Sequence, residues 1–542
     1  MEHAPAGGRA LDLGLVLLPP MGYEDTCAYR PLRSLADALA AAGHVVLRLD
    51  WPSLGDSGMG PLDPGLMTAW RQTVAEAASS LRARGLPRVA AIGVRAGALL
   101  ALASAGLDEL VLWGLPSAGG RGLVREERAF HRMAAKAFGD LPADAPALPA
   151  GAVEAGGFLL SEATVKAFEA LDPAALARSG PWGRVLLLDR DGAPPPAALV
   201  DAFQAAGAVV TADPSPGLGA LLENSYQSEL RPEVAQAITA WCGLGATEGP
   251  VGPSLGNPTL ALEGGVEERP WVLAGGRGEL SGILSLPPGG VAPGTGWTLF
   301  LNAGGIRRSG PNRLWTQGAR RLARAGRPSL RLDVRDVGDS DGVSVPHGDL
   351  EEMYSEASVL DVLAAYDWLM AQGAGSVDVV GLCSGSFLGI QLAARRQVRR
   401  ALLFNGLAYV WNDEARAGGM TGHIGASLLN GRRWRRLLTG RIDARALARA
   451  VVSKAWLNLG AWVQKALGRS SVSEVAELFR RVAQRGTRIQ LVSSAGDPSI
   501  AYLERHLPVG DRPPLVVIPG VDHTIRPVWA HERILRMVED AS

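Results

Sequence analysis

The chain has 542 residues, 47% apolar and 20% charged, with 54 basic and 54 acidic residues and so no net charge. That length exceeds one ordinary hydrophobic core and implies two to four domains, and the charge balance speaks against nucleic acid as the main partner. Only three cysteines occur, Cys27, Cys242 and Cys383, too few for a disulfide framework or a cysteine-based zinc site.

The opening MEHAPAGGRALDLGLVLLPP has no basic segment leading into a long apolar run, so no secretory signal is expected. No run of about 18 apolar residues follows anywhere, so no membrane span is expected, and the cytoplasm is the expected location. Short apolar runs then predict strands near 13–20, 44–50, 89–94, 109–114, 184–189 and 207–212, alternating with helical stretches. That alternation is the signature of βαβ units and a mostly parallel sheet. A helical segment at about 116–180 interrupts the series. The stretch GLGATEGPVGPSLGNP, Gly243 to Pro258, is rich in Gly and Pro and reads as a linker.

After it, TLALEGGVEERPWVL and GELSGILSLPPG predict an antiparallel hairpin. Further strands are expected near 297–302, 328–333, 377–382, 400–405, 488–493 and 514–519, with a helical interruption at about 407–484. Insertions above the carboxyl ends of such strands form caps over ligand crevices.

The chain says the same thing twice. Leu15 to Gly58 and Leu299 to Gly342 each hold a strand, a loop, an Arg-Ala-Leu helix, a strand ending Arg-Leu-Asp and a Gly-Asp-Ser turn. Asp50 and Asp333 correspond with an offset of 283, as do Gly55 and Gly338, Asp56 and Asp339, and Ser57 and Ser340. Later AAIGVRAGALLALA aligns with DVVGLCSGSFLGIQLA at an offset of 288, which sets Gly93 on Gly381, Arg95 on Cys383 and Gly97 on Gly385. The expected organisation is therefore two tandem α/β copies, 1–245 and 259–542, joined by 246–258.

In the second copy, VDVVGLCSGSFLG matches G-x-S-x-G with cysteine in place of serine, at a strand-to-helix junction. Gly381 and Gly385 suit a sharp turn that a Cβ would obstruct. RIQLVSSAGDPS ends a later strand at Asp497, and PPLVVIPGVDHTIRP ends the last strand at His523. On these residues the second copy resembles an α/β-hydrolase. The resemblance implies the chain order nucleophile, acid, base, here Cys383, Asp497 and His523. NAGGIRRSGPNR after the first core strand, with cysteine at the elbow, resembles serine-aminopeptidase-like hydrolases, including those associated with exosortase systems. A cysteine elbow is also similar to dienelactone hydrolases. The family's oxyanion hole implies backbone N–H donors from Ser384 and from Ala303 or Gly304. Ser384 is the rival nucleophile and Asp413 the rival acid. His531 lies in the terminal helix, and Asp522 is read as supporting the loop.

The first copy carries Arg95 at its elbow and no histidine between His131 and His347, so it reads as a degenerate pseudo-hydrolase with Asp189 or Asp191 at the old acid position. A thiolate at the second elbow would be favoured by the helix N-terminus and an imidazolium partner. It would form an S-acyl intermediate, close in energy to a thioester. That points to an acyltransferase or thioesterase taking an acyl thioester or ester, with acyl carrier protein or coenzyme A as the expected partner. An ester or lactone hydrolase using the same residues is the alternative, and a non-catalytic scaffold the alternative of another class. Arg432, Arg433, Arg435 and Arg436 lie in a basic amphipathic stretch suited to an acidic carrier, a phosphate or a membrane surface. Arg307 and Arg308, beside the oxyanion loop, are candidates to bind a substrate carboxylate or phosphate, the alternative being that they simply face water. No Walker motif, dinucleotide fingerprint or metal-ligand cluster occurs, so no cofactor is implied.

Overall fold

The structure is a computed structural model that describes residues 1–540 apart from 137, 139–140, 189, 192–193, 215–216, 257–258, 276–277, 343–349 and 413–472. Two compact units are present. The first holds Met1–Val291, Gly305–Gly348 and Pro519–Asp540, and the second holds Ala292–Gly304 and Asp349–Ile518. The first unit thus contains all of the first copy and several segments of the second.

In the first unit, strands β1 (Glu2–His3), β2 (Leu13–Leu18), β3 (Val46–Arg48), β4 (Arg88–Val94), β5 (Glu109–Trp113), β6 (Arg184–Leu188) and β7 (Val209–Asp213) form one sheet in the order β1-β3-β2-β4-β5-β6-β7. All neighbours are parallel except β1, which pairs antiparallel with β3. β2 shows why its sequence, LGLVLL, carries no polar alternation. Leu13, Leu15 and Leu17 enter one apolar cluster, Val16 and Leu18 the other, so both faces are covered by helices. Helix α1 (Gly22–Ala41) follows β2, helix α2 (Ala96–Ala103) follows β4 and helix α3 (Gly119–Ala135) follows β5.

The same unit contains β8 (Glu267–Gly275) and β9 (Gly278–Leu286), the expected hairpin. β9 in turn pairs antiparallel with β11 (Ser329–Leu332). Helices α4 (Leu314–Arg324) and α7 (Val528–Asp540) also belong here. In the second unit β10 (Gly296–Phe300), β12 (Ser376–Leu382), β13 (Arg400–Phe404), β14 (Arg488–Ser494) and β15 (Leu515–Ile518) run parallel, in the order β10-β12-β13-β14-β15. The series β2-β4-β5-β6-β7 has the same order. Helix α5 (Ser384–Ala393) follows β12 and helix α6 (Pro498–His506) follows β14.

Three local expectations change. The first insertion is not wholly helical, because Val153–Ala155 and Phe158–Leu160 form a short hairpin closed at Gly156 and Gly157, both at positive φ. The linker is partly structured: Glu248–Pro250 pairs with Arg9–Leu11. Of the second insertion only Glu474–Gln484 is a described helix, and the arginines at 432, 433, 435 and 436 lie outside the described residues, as does Asp413.

The first unit buries a network of arginines and carboxylates whose pairing follows the repeat. Arg48 pairs with Asp339, and Arg331, 283 positions after Arg48, pairs with Asp56, 283 positions before Asp339. The exchange extends to the Gly-Asp-Ser turns. Arg33 donates to the carbonyls of Gly338 and Ser340, while Thr316 and Arg313 donate to Gly55 and Arg313 to Ser57. Contacts of the form i to j and j to i are the mark of a two-fold interface.

Arg307 and Arg308 belong to this network rather than to an exposed anion site. They are 4% and 5% exposed. Arg307 binds Asp50 (2.7 Å) and Asp25 (3.2 Å) and lies 3.9 Å over the Tyr29 ring. Arg308 binds Asp56 (2.9 Å), Asp333 (2.6 Å) and Asp339 (2.7 Å). A guanidinium stripped of water needs several carboxylates, and the Asp residues of the duplicated turns supply them.

The network sets an acid limit. Burial alone would raise Asp339, but Arg48 and Arg308 reverse this and hold it well below its ordinary 3.8. A depressed carboxyl contributes stability above its unfolded value and loses it as pH falls below that value. The melting temperature should therefore drop more steeply below about pH 4 in wild type than in Asp339→Asn. Parallel thermal melts from about pH 6 to pH 3 check this, and equal slopes would contradict it.

Candidate functional site

The elbow is built by the strand before it and the helix after it. β12 ends at Leu382, α5 begins at Ser384, and Cys383 between them sits at φ 57°, ψ −115°. That is strained backbone for a residue with a Cβ, and such strain persists only where the surroundings enforce it. The glycines are steric necessities. A Cβ on Gly381 would lie 2.3 Å from the Gly385 carbonyl oxygen, and one on Gly385 would lie 2.5 Å from that of Asn302. Ser386 completes the turn, its hydroxyl donating to the carbonyls of Phe404 (2.8 Å) and Gly381 (3.1 Å).

Cys383 is partly accessible, whereas Cys27 and Cys242 are buried. Burial pushes both of those thiols up to about 12, so neither is reactive at neutral pH. Tyr354, which sequence reasoning missed, lies with its hydroxyl 3.7 Å from the Cys383 sulfur. Burial, then the thiol itself, keep this phenol well above its ordinary value, so it stays protonated and can donate. Tyr354 stacks on Trp411 at 4.3 Å and leans on Phe387 at 5.2 Å, giving the sulfur an aromatic wall. No motif marks Tyr354, since it precedes a separate helix, Glu356–Ala371, and reaches Cys383 only through the fold.

The loop expected to supply oxyanion donors differs from expectation in one detail. The Gly304 N–H donates to the Ser384 hydroxyl at 2.8 Å. The Ser384 side chain is therefore committed to the loop, and Gly304 is committed to Ser384. Ala303, 3% exposed, precedes it.

Asp497 lies three residues past β14 as the N-cap of α6, its carboxylate accepting from the Ser499 N–H at 2.9 Å. Asn405 follows β13 at positive φ and exchanges hydrogen bonds with Ser494. His523 follows β15 by five residues and belongs to the first compact unit. Its neighbour Asp522 supports the loop, accepting from the Arg526 N–H (2.8 Å) and Nε (2.6 Å). The Asn312 amide donates to the carbonyls of Thr524 and Ile525, and the Val528 N–H donates to Glu154 of the first copy. His531 is buried against the Ile525 carbonyl, and burial lowers it to about 4, so it stays neutral.

The corresponding turn of the first copy keeps the backbone shape with arginine in place of cysteine. Arg95 sits at φ 54°, ψ −111°, and a Cβ on Gly97 would lie 2.2 Å from the Leu18 carbonyl oxygen. The guanidinium is buried between Glu24 (3.1 Å) and Glu126 (2.6 Å). Asp191 at the acid position takes the N–H groups of Gly217 and Gly219, both at 2.7 Å, and so pins a loop. Asp189 lies outside the described residues. Among the described residues no group of three or more His, Cys, Asp or Glu is arranged to hold a metal, and no helix is long and apolar enough to cross a membrane.

No family model matches the chain, and no curated protein matches it. Solved structures similar to parts of it include an α/β serine hydrolase homologue from Coxiella burnetii, at 13% identity and TM-score 0.31, covering 51% of this chain and 97% of its own. An α/β serine hydrolase without lid from Xanthomonas campestris gives 16% and 0.31, covering 53% and 96%. An acetyl xylan esterase from Paenibacillus sp. R4 gives 16% and 0.31, covering 53% and 88%. By its own parallel sheets and crossover helices, the chain is an α/β protein.

Proposed function

We propose that the protein is an α/β-hydrolase-like acyl-transfer enzyme that works through an S-acyl intermediate on Cys383. The observation that carries this reading is the strained elbow, which holds a partly accessible thiol at a strand end beside a protonated phenol. A buried structural cysteine needs neither feature. In the proposed mechanism His523, oriented by Asp497, takes the Cys383 proton. The thiolate attacks the carbonyl carbon of an acyl thioester or ester. Ser384 and Ala303 N–H groups stabilise the oxyanion, since the Gly304 N–H is already engaged. The tetrahedral intermediate collapses with loss of the thiol or alcohol, which takes the proton from His523. An acceptor then attacks the S-acyl carbon, and the Cys383 thiol is regenerated.

The aromatic wall of Tyr354, Phe387 and Trp411 favours an apolar acyl group. Exchange between thioesters is nearly balanced in energy, so cysteine suits a carrier-bound or coenzyme A-bound donor better than an oxygen ester. The first copy, with Arg95 at its elbow, is proposed as a non-catalytic platform whose Glu154 braces the segment after His523.

The test is intact-protein mass spectrometry after incubation with a panel of acyl thioesters and activated esters. Wild type should gain the acyl mass and Cys383→Ala should not. Equal labelling of both would overturn the assignment of Cys383. If iodoacetamide leaves Cys383 unmodified in the folded protein, the thiol is sealed and the enzyme reading fails.

A further inference from the structure

The first unit encloses a cavity of about 680 Å³ that takes no part in the chemistry proposed for Cys383. It opens at the carboxyl ends of β2 and β3, where Met21, Gly22, Ser53 and Leu54 line it. This is the end of the sheet at which α/β folds hold ligands, and the volume lies in the range of small-molecule sites. Its apolar wall includes Leu66, Trp70, Leu123, Leu160 and Phe168, with Trp70 and Phe168 packed at 5.6 Å.

Three charged groups on the wall are left uncommitted by the ion pairs of the unit. Arg313 is 6% exposed and donates only to the carbonyls of Gly55, Ser57 and Met59. No carboxylate pairs with it among the described residues. Five N–H donors on a guanidinium exceed three carbonyl bonds, so capacity remains. Burial, together with Arg320 and Arg331, lowers Arg313 to about 9, the response of a cation short of counter-charge. Arg324, about three turns further along α4 and so on the same face, is exposed and also has no ion-pair partner among the described residues. Glu127 has no hydrogen bond or ion pair there either. Burial, then the carboxylate of Glu24, push it up to about 8, so at neutral pH it is an uncharged donor. The other acids of the wall are Glu532, paired with Arg321, Asp63, which accepts from Gly65, and the exposed Glu263.

Backbone strain gathers at the same place. Ser53 (φ 75°), Met59 (φ 64°), Asn312 (φ 52°) and Arg313 (φ 67°) all line the cavity, four of the ten non-glycine residues at positive φ among the described residues. Strain of this kind concentrates at ligand clamps, because a fold with no use for it relaxes it away.

We infer that this cavity binds an amphiphilic organic acid, its apolar body against Trp70 and Phe168 and its carboxylate at Arg313, with Glu127 on the same cavity wall. The site is distinct from Cys383 and does not depend on the acyl-transfer reading.

The probe is decanoate, titrated into full-length protein by calorimetry and by tryptophan fluorescence, with decanol and acetate as controls and Cys383→Ala run in parallel. Decanoate should bind wild type and Cys383→Ala alike, while acetate should not bind. Arg313→Gln should weaken decanoate by about tenfold or more, the worth of a charge-assisted hydrogen bond, and leave decanol unchanged. Arg324→Glu, a surface change that keeps the fold intact, should weaken decanoate several-fold. Leu160→Trp, which puts an indole into the apolar wall, should weaken decanoate and decanol alike. No decanoate binding up to about 1 mM would overturn the proposal. So would decanoate affinity unchanged in both Arg313→Gln and Leu160→Trp, since the ligand would then sit elsewhere. Equal affinity for decanol and decanoate in both wild type and Arg324→Glu would overturn the assignment of an acid.

Discussion

His523→Ala should slow acylation of Cys383 by about 10²- to 10⁴-fold, the usual contribution of a positioned general base. The residual rate should rise with pH as the thiol ionises without help, whereas the wild-type profile should be flatter above neutrality. Asp497→Asn should give a smaller loss in the same direction, because its first role on view is to cap α6 and its proposed second role is to orient His523. Stopped-flow or quenched mass spectrometry against one acyl thioester measures all three proteins. A His523→Ala protein that melts like wild type and acylates at the wild-type rate would remove His523 from the mechanism and leave the cysteine as an unassisted nucleophile. His531→Ala is the informative control. That side chain is held neutral in the core, so its loss should lower stability with no change in the pH profile of acylation.

Arg331→Met should destabilise the first unit by about 3–5 kcal/mol, the cost of removing one partner from a buried ion-pair network. Arg331 is wholly buried and binds Asp56, Glu268 (2.8 Å) and Thr316 (2.6 Å). Without it two carboxylates lose a cation, the buried Glu268 and the partly buried Asp56. Arg48→Met should cost a similar amount, since Arg48 makes the matching pair with Asp339. Adding Glu268→Gln to Arg331→Met should recover part of the loss, because a neutral amide is cheaper to bury than an uncompensated carboxylate. Denaturant melts that follow the first transition test this. A loss under about 1 kcal/mol would mean the network is wetter than its burial implies.

Sequence alone determined the parallel strands, the elbow and the repeat, which depend on neighbours in the chain. The parallel strands were legible because strands buried on both faces must be apolar throughout, and LGLVLL or SVDVVGL fits little else. The elbow was legible because its backbone tolerates only small residues at Gly381 and Gly385, so steric need is written directly into the residue types. The repeat was legible because Arg-Leu-Asp and Gly-Asp-Ser recur at one offset. The hairpin at 153–160 and the pairing of Glu248–Pro250 were not, because strands of three residues are too short to stand out by period.

Only the tertiary structure decided what the charged and aromatic side chains do. Arg307 and Arg308 look like anion ligands in sequence, since an arginine's partner is set by whatever the fold brings within 3 Å, and here the fold brings the aspartates of both turns. Tyr354 reaches Cys383 from 29 residues away, and Gly304 spends its N–H on Ser384. Arg313 remains short of a carboxylate although arginines around it are well supplied. Backbone preferences act over a few residues and leave a periodic trace. Pairing of long polar side chains acts across the fold and leaves none.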